Sequence, residues 1–170
     1  MVIAPGTTLA DYLVPARESR TLNLLRNAGL IVGFSLLVAL CSHITIPLRP
    51  VPITLQTLGV LLAGAALGSK RGGLALLLYL AAGAIGLPVF APVVGSPAGF
   101  MALLSFTGGY LWAFPIAAFV VGLLCERGLD RSLLTSAIAM LPGSVIIYLL
   151  GALQLGLVLH LSVELAFAYG

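Results

Sequence analysis

The run GGLALLLYLAAGAIGLPVFAPVVGSPAGFMALLSFTGGYLWAFPIAAFVVGLLC, Gly72–Cys125, contains no Asp, Glu, Lys or Arg. A helix that crosses a bilayer needs about 20 mostly apolar residues, so this run holds two crossings and the connection between them. That connection, LPVFAPVVGSPAGF (Leu87–Phe100), carries three prolines, two phenylalanines and no charge. A solvated loop is hydrophilic; this one is built to pack against something.

Outward from this run the pattern repeats. Asn27–Leu48, Pro50–Ser69 and Ser132–Val163 are also free of charge, and basic residues stand between the runs. The whole chain is 61% hydrophobic and 8% charged, with mean hydropathy +1.19. Soluble domains carry about 25% charged residues, so the chain is an all-α integral membrane protein. Five complete spans are expected, at about 27–46, 53–69, 72–89, 106–125 and 133–158. The tail HLSVELAFAYG is too short for a sixth. Residues 1–26 are expected to form an N-terminal arm and 27–170 the membrane domain. No cleavable signal is expected, because the first long apolar run follows Arg17, Arg20 and Arg26.

Basic residues orient membrane proteins. With the N-terminus in the cytoplasm, Arg17, Arg20, Arg26, Lys70, Arg71, Arg127 and Arg131 are all inside and Arg49 alone is outside. Arg49 sits in ITIPLRPVPITLQT (Ile44–Thr57), where Pro47, Pro50 and Pro52 end the flanking helices and stiffen the connection. This stretch is either a plain extracytoplasmic connection or a lid over a site. Cys41 and Cys125 fall in spans near opposite faces, so a disulfide between them is not expected.

Helix directions then gather Gln56, Thr57, Thr107, Tyr110 and Gln154 in the outer half of the bundle, with Tyr148 nearer the middle. Polar groups inside a membrane face inward and need partners. Singly, Tyr148 and Gln154 are explained by contacts between helices; as a group roofed by two proline-rich loops, these residues point to a ligand pocket. In SFTGGYLWAF (Ser105–Phe114), Thr107 can cap a helix. Gly108 and Gly109 leave its first turn bare, which suits either an anion at the free N–H groups or tight helix packing. GLIVG (Gly29–Gly33) begins a small-residue stripe continued by Ser35 and Ala39, suited to close contact with another helix of this chain or of a partner.

Several chemistries are missing. GAALGSKR (Gly64–Arg71) fails the phosphate-loop pattern. His43 and His160 have no metal-ligand spacing around them, no GxSxG elbow occurs, and the five spans hold no carboxylate for a proton relay. A binding or transport subunit is favoured over an enzyme.

ITIPLRPVPITLQTLGVLLAGAALGSKRGGLALLLYLAAGAIGLPVFA (Ile44–Ala91) and TGGYLWAFPIAAFVVGLLCERG (Thr107–Gly128) resemble the BioY family. These are the biotin-specific membrane subunits, or S components, of energy-coupling factor transporters. The resemblance runs from about Asn27 to the C-terminus, and the order IPL, PVPIT, QT, GLPVFA, TGGYL makes it specific. It implies a six-helix S-component bundle in the cell membrane that captures biotin near the outer face. A transmembrane coupling protein and two ATPases drive uptake, and the subunit itself has no enzymatic activity, cofactor, metal or nucleic-acid partner. The family's contact with the coupling protein lies on the first helix, where Gly29, Gly33, Ser35 and Ala39 are candidates. For biotin the candidates are Arg49 or the Gly108 and Gly109 amides for the carboxylate, Gln56, Thr57, Thr107 and Tyr110 for polar groups, and Phe90 for the rings. Two departures stand out: Ser105 and Phe106 replace the family's Gly-Pro, and the sequence ends at Gly170 before the sixth helix and its ligand contacts. The alternatives are an S component for another vitamin and a truncated membrane subunit that binds nothing.

Overall fold

The structure, a computed structural model, describes residues 8–15, 19–46, 48, 51–92, 97–129, 132–161 and 163–169. Arg17, Arg49 and Arg131 lie outside the described residues. The helices are α1 (Leu9–Leu13), α2 (Arg20–His43), α3 (Gln56–Leu67), α4 (Ser69–Ala84), α5 (Phe100–Leu104), α6 (Gly108–Leu124), α7 (Leu133–Leu159) and α8 (Val163–Tyr169). A wide turn, Cys125–Leu129, prolongs α6. Between α2 and α3 the chain forms an antiparallel hairpin, β1 (Thr45–Ile46) and β2 (Ile53–Thr54), with Thr45 opposite Thr54 and Ile46 opposite Ile53. The proline-rich connection is therefore framed by paired strands, which satisfy backbone groups that prolines alone could not.

Among the described residues, three helical stretches are long and apolar enough to cross a membrane: Arg20–His43, Gly108–Leu129 and Leu134–Leu159. The spans expected at 53–69 and 72–89 are shorter than expected. α3 has 12 residues and α4 has 16, or about 18 and 24 Å at 1.5 Å per residue, against about 30 Å of hydrocarbon. Both are cut short at the same end of the bundle. α3 starts only after the hairpin, with its first N–H, that of Gln56, donated to Thr54 Oγ1. α4 stops in a turn through Gly86 at φ +96°, just before Pro88. α2 begins at Arg20, so the end of the expected arm forms its first turns. The tail forms α8, which packs on α7 where Ala166 meets Gly156.

α3 and α6 form the centre. Val60, Ala63, Ala113, Ala117, Ala118 and Val121 are fully buried between them and their neighbours. Gly64 makes the close approach possible, since a Cβ there would collide with the carbonyl of Ala118. α3 and α4 join through Gly68 at φ +82°, a conformation that side chains disfavour.

The α3–α4 joint lies at the end of the bundle opposite the hairpin, and that end is tied by charge. The Glu126 carboxylate accepts from Ser69 N–H at 2.8 Å and from Ser69 Oγ, capping α4. Asp11, on α1, pairs with Arg26 at 2.7 Å and with Arg71 at 2.6 Å. Arg71 also donates to Thr8 Oγ1 and to the Leu67 carbonyl. The Arg71 guanidinium, with Arg26 and the Thr8 hydroxyl, holds the Asp11 carboxyl well below the usual carboxylate range against the opposing effect of burial. Cys41, near the hairpin end of α2, and Cys125, at the opposite end of α6, are not joined to each other by a disulfide.

Candidate ligand-binding site

The early ends of α3 and α4 leave a space that helices do not fill. The hairpin, the chain from Gly86 to Pro92, the Pro97–Gly99 turn and the start of α6 surround it. The resulting cavity has a volume of about 440 Å³, within the range of ordinary ligand pockets, roughly 300–1,000 Å³. Irregular backbone is tolerated at membrane depth where it lines such a cavity.

Gln56, Thr57, Phe90, Thr107 and Tyr110 all line this cavity. His43 lines it as well, and its Nδ1 lies 2.8 Å from the Ala39 carbonyl. Gln56 is buried, and its Nε2 donates to Tyr79 Oη at 2.7 Å. The Phe90 ring rests directly on Gly83 and meets Tyr79 edge-on, with centroids 5.5 Å apart. Tyr110 stands on Gly151 and meets Tyr148 edge-on at 6.5 Å. Its hydroxyl is buried and has no hydrogen-bond partner among the described residues. A polar atom left so costs about 1–3 kcal/mol, so the cavity holds a place for a polar group of a ligand or for water.

Gly108 and Gly109 stand elsewhere. Both are buried but do not line the cavity. A Cβ on Gly108 would collide with the Leu103 carbonyl, and one on Gly109 with the Leu150 carbonyl of α7. The Gly108 N–H is donated to Ser105 O at 3.0 Å. Of the two uses open to these glycines, the structure shows tight packing. Thr107 occupies the position before α6 but makes no capping bond; its hydroxyl pairs with Ser105 Oγ at 3.1 Å. Gln154 braces this turn, donating to Ser105 O at 2.8 Å. The turn at Ser105 is thus held by hydrogen bonds to Thr107 and Gln154. Arg49 lies outside the described residues.

The small-residue stripe of α2 divides. Gly29 and Gly33 are exposed, with open space where a Cβ would be. Ser35 is buried and Ala39 packs against the core, because a two-residue step from Gly33 turns the helix by about 200°. The four do not share one face.

Two residues behind the cavity wall carry no signal in the sequence. Tyr79, within LALLLYLAA, carries no mark distinguishing it from a lipid-facing tyrosine, yet it is fully buried. Ser42 donates to the Val89 carbonyl at 2.7 Å and so ties α2 to the chain bearing Phe90.

A family model described as BioY family matches residues 15–170. The biotin transporter BioY of Thermotoga maritima is 44% identical over 75% of this chain and 72% of its own length. That of Rhodobacter capsulatus is 48% identical over 78% and 70%. A probable biotin transporter BioY of Pyrococcus horikoshii is 42% identical over 74% and 72%. Among solved structures, the S-component for biotin from an ECF-type ABC transporter superposes with a TM-score of 0.76, covering 89% of this chain and 82% of that one at 24% identity. That likeness establishes the S-component fold, and with the family match and the relatives it leads to one conclusion: this chain belongs to the BioY family.

Proposed function

We propose that the chain captures biotin in the cavity at the hairpin end and acts as the S component of an energy-coupling factor transporter. The observation that carries this reading is the cavity itself: a mostly apolar chamber in a BioY-family chain, with Gln56, Thr57, Thr107 and the unpartnered Tyr110 hydroxyl on its wall. The sulfur-bearing bicycle suits Phe90 and its apolar neighbours, and the ureido group suits the polar residues. The carboxylate is assigned to Arg49 on charge alone.

In this reading α2, α3, α4, α6 and α7 all cross the membrane. The short α3 is tolerated because most of its surface is covered by protein, not lipid. Arg20, Arg26, Lys70, Arg71 and Arg127 lie at the end away from the cavity. The positive-inside rule then puts that end in the cytoplasm and the cavity outside. The open face of α2 at Gly29 and Gly33 is assigned to the coupling protein, whose ATPases would supply the energy.

Thermal unfolding of the purified chain in detergent tests the reading. Biotin at 100 times its Kd stabilises a folded protein by about 2.7 kcal/mol, so a clear rise in Tm is expected. A rise with a different vitamin and none with biotin would reassign the ligand. No rise with any vitamin would remove the binding function.

A further inference from the structure

Tyr79 does not line the cavity, yet it contacts two residues that do. Its hydroxyl donates to the Val89 carbonyl at 2.9 Å. A carbonyl only accepts, so the phenolic proton is committed there. The phenolic oxygen must then accept from Gln56, which is what the 2.7 Å contact from Nε2 supplies. The direction of the whole chain, from the Gln56 amide to Tyr79 to Val89, is thereby settled by its last member. An amide that turns its NH2 to Tyr79 keeps its carbonyl Oε1 for other partners.

We propose that Tyr79 is a positioning residue for ligand recognition: it orients the Gln56 amide so that the cavity is offered a hydrogen-bond acceptor, selecting a ligand N–H. Through Val89 and the ring contact it also seats Phe90. The inference rests on the reading of the cavity as a biotin site, since the ureido group brings N–H donors. Ser42 is the internal comparison. Its hydroxyl lies 2.7 Å from the same Val89 carbonyl and from the Ala39 carbonyl and touches the Tyr79 hydroxyl, but it makes no hydrogen bond to Gln56 among the described residues, so it shares the seating role and reaches the amide only through Tyr79.

The test compares biotin with an analogue methylated on its ureido nitrogens, by equilibrium binding to the purified chain. The parent should prefer biotin strongly. Tyr79→Phe keeps the ring and removes the hydroxyl; its affinity for biotin should fall about tenfold, the scale of one hydrogen bond, and its preference over the analogue should shrink by a similar factor. Ser42→Ala should weaken both ligands alike and keep the preference. Gln56→Leu should erase the preference, and it decides the matter even if the Tyr79 variant folds poorly. A Gln56→Leu variant that still discriminates overturns the proposal, as does a Tyr79→Phe variant that weakens both ligands by one factor or neither. A parent that binds no biotin overturns the functional reading and this inference together, whereas biotin binding with unaltered discrimination in the variants overturns this inference alone.

Discussion

The Tyr110 hydroxyl has no partner among the described residues, while its ring is packed between Gly151 and Tyr148. Tyr110→Phe keeps the packing and removes a buried polar atom that the protein does not satisfy. The unliganded variant should be as stable as the parent, or slightly more so, because a desolvated hydroxyl is gone. Biotin affinity should fall about tenfold if the ligand supplies the missing hydrogen bond. Paired thermal unfolding with and without biotin separates the two effects; equal affinity in variant and parent would take Tyr110 out of the site. Gly109 behaves oppositely. A branched side chain there meets the Leu150 carbonyl on α7, so Gly109→Val should lower the stability of the unliganded chain by about 1–3 kcal/mol. An unchanged unliganded Tm would contradict the packing role. These residues show what sequence can tell at this scale. Gln56, Thr57, Thr107 and Tyr110 were legible as a group because polar side chains in apolar spans need a common interior. The use of Gly108 and Gly109 was not, because a missing Cβ serves a ligand and a neighbouring helix equally well.

At the scale of the element, α1 is too short to be stable alone, and its five residues are held from outside. Thr8 and Asp11 form a capping box, Ala10 is buried, and Asp11 bridges α2 and α4 through Arg26 and Arg71. Asp11→Asn removes the charge that both arginines meet. α1 should then open, by about 1 kcal/mol after allowance for partial exposure, seen as faster tryptic cleavage after Arg20. The pH dependence follows from the lowered Asp11 pKa. A carboxylate with a depressed folded pKa contributes its full stability above its unfolded value, near 3.8, and loses it as pH falls further. Opening of the arm, followed by hydrogen exchange corrected for the intrinsic rate, should therefore be unchanged from neutral pH to about pH 5, and the arm should loosen only in more acid solution. A release near pH 6 would show that Asp11 is not the fastener. The sequence shows basic residues before the first long apolar run. The docking of α1 was not legible there, because the pairing of Asp11 with Arg71 joins residues far apart in the chain. The lengths of α3 and α4 were hidden for a related reason. Apolar runs continue past Ala84 and begin before Gln56, and only the packing of the hairpin and the Phe90 segment shows where helix gives way to cavity wall.

Across the whole molecule, the described basic residues and the cavity occupy opposite ends. Lys70 and Arg71 start α4 beside Glu126, while the Pro97–Gly99 turn borders the cavity. The apolar runs and the spacing of basic residues made this polarity readable before any coordinate, because membrane insertion acts on the same local features that sequence displays. The orientation itself is a prediction. Ser69 is a poor probe, being buried and bonded to Glu126, whereas Lys70 and Ala98 are both exposed. Cysteines at these two positions, in a chain from which Cys41 and Cys125 have been removed, can be offered an impermeant thiol reagent on intact cells. Ala98→Cys should label, and should label more slowly with biotin present if the ligand fills the cavity that Ala98 borders. Lys70→Cys should label only after the cells are opened. The reverse pattern, position 70 reactive from outside and position 98 silent, would place the cavity in the cytoplasm. A capture site facing the cytoplasm could not serve uptake, so that one result would overturn both the topology and the transport direction proposed from it.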